Sequence, residues 1–204
     1  DEIALCQEYS GDFQRRSQAI APAREAYLQA LAARQQLPEE PEFLARRIRV
    51  LLKLGGDSDL EQAAANAEKL IGLHPQNAMY QTLKARVDFH RHELDKCIET
   101  LNTPAEDDLT SPGAERLFLL AMALHERKQD GDSKRARESF EQALKQMQEE
   151  SPGDVSLIEL REEAAAKLGI PDAAEAKTPS PKESKPGGRE PPAAKSAAPG
   201  RSNP

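Results

Sequence analysis

LFLLAMALHERKQDGDSKRARESFEQALKQMQEESP, residues 117–152, is the stretch whose reading decides the fold. Leu117, Leu120, Ala121 and Leu124 recur at steps of three and four, the spacing that puts side chains on one face of a helix. Ala136, Phe140, Ala143, Leu144 and Met147 do the same further on, and Ser151-Pro152 closes that second helix. Between them, Gln129 to Lys134 (QDGDSK) is turn chemistry, with Asp and Gly supplying backbone angles that other residues avoid. A small residue, an aromatic four positions on and a second small residue three beyond let one helix lie close to its neighbour.

Moving outward, the same arrangement returns. Ala23, Tyr27 and Ala30 repeat the spacing of Ala136, Phe140 and Ala143, after a Pro22 that suits a first helical turn. A further helix carries Phe43, Leu44, Ile48, Leu51, Leu52 and Leu54, stopped by Gly55-Gly56. Asp57-Ser58-Asp59 reads as the N-cap of the next, with Leu60, Ala63, Ala67, Leu70 and Ile71, ended by His74-Pro75. Another pair follows, one helix through Met79, Tyr80, Leu83, Val87 and Phe89 and one through Leu94, Cys97, Ile98 and Leu101. The small residues of the second helices are Ala23, Ala63, Cys97 and Ala136, at intervals of 40, 34 and 39 residues.

This pattern resembles the tetratricopeptide repeat, a helix-turn-helix unit of about 34 residues that buries its apolar face only when stacked. The resemblance covers roughly residues 20–152. It departs from the family where a large aromatic usually begins the unit, since Leu or Phe stands there. It implies an all-α, right-handed α-α superhelical solenoid of about four helix pairs. Val155 to Leu168, ending at Gly169, then reads as a C-terminal capping helix with a charged solvent side. Cys97 takes the place of Ala136 in its unit and so reads as a small buried packing residue.

Residues 1–16 carry Ile3, Leu5, Cys6, Tyr9 and Phe13, an amphipathic helix expected to be interrupted around Ser10-Gly11-Asp12. The chain opens at Asp1 and enters helical sequence at once, as the C-terminal part of a longer protein would. The helical domain is assigned to 1–169. Residues 170–204 hold eight of the fifteen prolines, and beyond Ile170 no aliphatic side chain is larger than Ala, so this tail is expected to be disordered.

Charge and motifs narrow the function. The chain has a net charge of −7; the stretch after Ile170 is positive, so the helical body is the acidic part and argues against nucleic acid. No run of 18 apolar residues spans a membrane. His90 and His92 point to different faces of a helix, and His125-Glu126 has Gln129 where a zinc hydrolase helix needs a second His. Glu106-Asp107-Asp108 lacks the alternating ligands of a calcium loop. No catalytic constellation, metal site or cofactor motif is found, so the chain reads as a non-enzyme.

The resemblance implies a concave face, lined by first helices, that binds a partner peptide or protein surface. The paired Lys and Asn of the carboxylate-gripping subgroup are missing. The groove candidates are Arg49, Lys53, Gln81, Asp88, Phe89, Phe118, Met122 and His125, a mix suited to a hydrophobic or acidic segment. Tyr80 and Gln81, like Phe43 and Leu44, compete for one position, and Phe118 and Met122 serve a groove or the core equally well. The alternative function is a regulatory or oligomerisation appendage of an enzyme, such as a kinase or protease, or of a secretion component encoded upstream.

Overall fold

A computed structural model of the chain describes residues 2–35, 39–105, 113–150 and 152–170. The expected tail beyond Ile170 and the Glu106-Asp107-Asp108 cluster lie outside the described residues. Among those described there are nine helices: α1 (Glu2–Arg16), α2 (Ile20–Gln35), α3 (Pro41–Leu54), α4 (Asp57–Leu73), α5 (Ala78–His90), α6 (Leu94–Asn102), α7 (Ala114–Arg127), α8 (Asp132–Glu150) and α9 (Val155–Leu168). Consecutive helices pair as α1·α2, α3·α4, α5·α6 and α7·α8, with α9 laid on α7 and α8. The second helix of each pair packs on the first helix of the next, and α3, α5 and α7 follow one another in a row. The result, among the described residues, is an all-α stack of four helix pairs with a capping helix.

The small residues explain the close approach. Ala23, Ala63, Cys97 and Ala136 are each at most 3% exposed, and Tyr27 and Phe140 are buried beside their alanines. The apolar core is continuous only between neighbours, as a stacked array requires. One cluster runs from Ala23 to Val87 and the next from Ala85 to Leu168, and α5 contributes to both. In the second cluster Phe118 meets Phe140 edge-on, with ring centroids 5.5 Å apart.

Turn chemistry sets the helix ends. Gly55 (φ 69°) and Gly169 (φ 64°) adopt the left-handed conformation that closes α3 and α9. Asn77 caps α5 by accepting from Tyr80 N at 3.0 Å, and Asp154 caps α9 by accepting from Ser156 N at 2.8 Å. Two boundaries differ from the sequence expectation. Gly56, not Asp57-Ser58-Asp59, is the N-cap of α4, and Asp59 reaches back to accept from Gly56 N. The α7–α8 turn is also shorter, because α8 already begins at Asp132. Arg127 grips both Asp132 oxygens at 2.9 Å and holds that carboxyl below its ordinary range.

The first helix needs a larger correction. It runs unbroken through Ser10-Gly11-Asp12, and its apolar face is turned outward. Ile3, Tyr9 and Phe13 are 71%, 69% and 73% exposed, and Cys6 is exposed with them. The inward side is instead small and polar. Ala4 and Gly11 are buried; Glu8 pairs with the buried Arg34 at 2.7 Å; Asp12 accepts from Tyr27 Oη at 2.7 Å. Gly11 permits this because the Tyr27 ring occupies the space a Cβ would need.

Candidate interaction surface

Side-chain contacts between first helices run around the inner row and return to its start. Lys53 on α3 bridges Glu8 (3.0 Å) and Asp12 (2.8 Å) on α1. The Arg49 guanidinium rests on Met79 Sδ at 3.7 Å, joining α3 to α5. Arg86 on α5 meets Glu115 on α7 at 3.3 Å, and Lys167 on α9 pairs with Glu126 on α7. Arg16 on α1 then meets Glu159 on α9 at 2.8 Å, across 143 residues of sequence. The exposed pairs among them, Arg86–Glu115 and Arg16–Glu159, stabilise little. Their value here is positional, since they show that α9 comes back to the end of α1.

His90 marks the same convergence. It closes α5 with a side facing water, yet feels Arg86 of its own helix, Glu163 and Lys167 of α9 and Arg15 of α1. Surrounding protein, and after it Arg86, hold its pKa below the ordinary 6.5. In the sequence His90 reads as a poor metal ligand and a solvated or partly buried histidine, because nothing local reveals that charges of α1 and α9 lie near it.

Five of the eight expected groove residues are buried, and the three that reach water have different neighbours. Phe118 and Met122, at 0% and 1% exposure, complete the core. Gln81 donates to Pro75 O at 2.9 Å and accepts from Arg116 at 3.1 Å. Asp88 is buried, which raises its pKa against the opposing pull of Lys84 at 2.9 Å. Phe89 is buried, with Lys167 Nζ 5.2 Å from its ring centroid. Lys53 is half-buried and committed to α1. His125, also half-buried, borders a shallow depression with His92, Leu94, Glu126, Lys128 and Lys167. Arg49 is exposed beside Met79, itself 48% exposed.

Among the described residues, no group of three or more His, Cys, Asp or Glu is placed to hold a metal ion. Cys97 is fully buried, and burial, followed by the nearby Asp88, pushes its thiol up to about 12, which makes it a packing residue. No described helix is long and apolar enough to cross a membrane.

Comparison with known proteins found no matching family model and no matching curated protein. Among solved structures, the chain is similar to the crystal structure of MamA protein, at 19% identity, over 86% of this chain and 87% of that one, with a TM-score of 0.45. At that level of likeness the fold rests on this chain's own helix packing.

Proposed function

We propose that the chain is a non-catalytic protein-interaction scaffold whose helical domain, residues 1–169, receives a partner segment on the inner, concave row of first helices, with 170–204 as an appended tail. The observation that supports this most is the Arg49–Met79 pair. An exposed guanidinium lying on an exposed thioether offers charge and apolar surface together, at the junction of α3 and α5. That combination suits a segment carrying Asp or Glu next to a large apolar residue. The buried members of the groove set, Gln81, Asp88, Phe89, Phe118 and Met122, hold the row in shape, while Lys53 and His125 flank it. Nucleic acid is not the partner in this reading, given the acidic body.

The test uses displayed 12-residue peptides rich in Asp, Glu, Leu and Phe, with the selected peptide followed by fluorescence anisotropy. Arg49→Glu should weaken binding at least about tenfold, the size expected when a charge-assisted contact of about 1.5–3 kcal/mol is lost, with an unchanged circular dichroism spectrum. Equal affinity of parent and variant would remove Arg49 from the site. Failure of the parent to select any such peptide would contradict the reading itself.

A further inference from the structure

We infer that the contact between α1 and α9 is a latch: it holds the row of first helices closed in the free chain, and its release lets the stack open to admit a partner segment. Its role as a gate rests on reading the inner row as the binding face. One pair of side chains joins the two ends of the stack. Arg16 Nε, on the last residue of α1, donates to Glu159 Oε1 on α9 at 2.8 Å, and each side chain is 56% exposed. No extensive helix packing stands behind that pair, since α1 packs on α2 while α9 packs on α7 and α8. Such a pair is solvated, screened by salt and easily released.

The architecture makes that weak contact decisive. In a stacked array each pair touches only its neighbours, so small changes at successive junctions add up along its length. Lys53 with Glu8 and Asp12, and Lys167 with Glu126, tie helices that are already adjacent. Arg16–Glu159 spans 143 residues, so of these contacts it alone constrains the sum. The apolar core does not oppose its release. One cluster runs from Ala23 to Val87 and the other from Ala85 to Leu168, and neither includes a residue of α1, so parting α1 from α9 uncovers no core. Closure also brings α1 and α9 to the end of α5. Lys167 on α9 lies 5.2 Å from the Phe89 ring centroid, and charges of both α1 and α9 act on His90 beside it. A segment seated on Arg49 and Met79 that continues along α5 meets this closed end.

The experiment measures the distance between two spin labels on the full 204-residue chain. One label sits on the exposed Cys6 of α1 and the other on Ala166→Cys, on the exposed side of α9, while Cys97 is buried and stays unlabelled. With the pair intact, one short distance should dominate. Arg16→Gln and Glu159→Gln should each cut that population at least about threefold, an effect within reach of a surface ion pair. The charge swap, Arg16→Glu with Glu159→Arg, should restore it. Salt at 1 M, where screening acts beyond about 3 Å, should open the parent and leave the two Gln variants unchanged. The selected acidic-apolar peptide should associate faster with both Gln variants, by a similar factor, in stopped-flow mixing. These variants change the net charge in opposite directions, so a shared acceleration reports opening and not electrostatic steering. Equal distances in the parent and the Gln variants would overturn the latch, as would a swap that fails to restore closure. Variants that open without faster association would overturn the gate. A chain that selects no such peptide contradicts the inner-row reading and the gate with it, while the distances still decide the latch.

Discussion

Gly11 lies in the middle of a helix, where alanine is ordinarily the better residue by about 1 kcal/mol. Here the sign should reverse. The Tyr27 ring fills the space of the missing Cβ, and its hydroxyl is tied to Asp12, so the ring has little freedom to retreat. Gly11→Ala should cost about 1–3 kcal/mol, the usual range for overpacking, read as a lower urea midpoint; a higher midpoint would mean that the ring moves aside. Ala136 makes the complementary case in the second helix of the last pair. It is 1% exposed within the cluster that holds Ala121 and Leu124. Ala136→Leu should cost a similar 1–3 kcal/mol, whereas Ala166→Leu on the exposed side of α9 should be nearly neutral. Equal midpoints for the two alanine variants would contradict the buried placement. The role of Ala136 follows from its spacing to Phe140 and Ala143, which is local information. That of Gly11 does not, since a glycine beside serine and aspartate signals a turn unless one knows that Tyr27 lies across from it.

Among the helices, polar side chains at the junctions do work that no periodicity reveals. Arg47 on α3 donates twice to Arg34 O at the end of α2, at 2.9 and 2.6 Å. Arg116 on α7 donates to Leu101 O and to the Thr100 and Thr103 carbonyls, closing the end of α6, while Gln81 on α5 donates to Pro75 O just past α4. The last carbonyls of a helix have no partner within it, and burying them unpaired costs about 1–3 kcal/mol each. In each case a side chain from the next first helix satisfies the end of the preceding second helix, so capping and stacking become one event. Arg116→Leu keeps most of the bulk and removes the donors, and should lower stability by at least about 2 kcal/mol, while the exposed Arg135→Leu should change little. A neutral Arg116→Leu would show that water replaces the guanidinium. The arginines occupy different positions within their helices, so no repeat alignment singles them out. The outward direction of the apolar face of α1 is not legible in the sequence for a related reason. Apolar residues at helical spacing show that a helix has an apolar side, but only the packing of Ala4, Glu8 and Gly11 shows which side is inward.

At the scale of the whole domain, helix pairing and the order of the stack were readable because the contacts between consecutive helices that carry them are close in sequence. Intervals of 40, 34 and 39 residues between small residues are enough to predict pairs stacked on pairs. What spacing cannot convey is curvature. The return of α9 to α1 through Arg16 and Glu159, with His90 between, sums small rotations over every pair, and no single segment encodes it. That curvature decides which side chains share the inner row, which is why the helices were easier to place than the groove. The measurement that tests the scaffold account most directly is hydrogen–deuterium exchange on the full chain, with and without the acidic-apolar peptide selected on it. The account predicts slowed exchange in α3 and α5, around Arg49 and Met79, with α4, α6 and α8 unchanged. Protection confined to α4, α6 and α8 would contradict it.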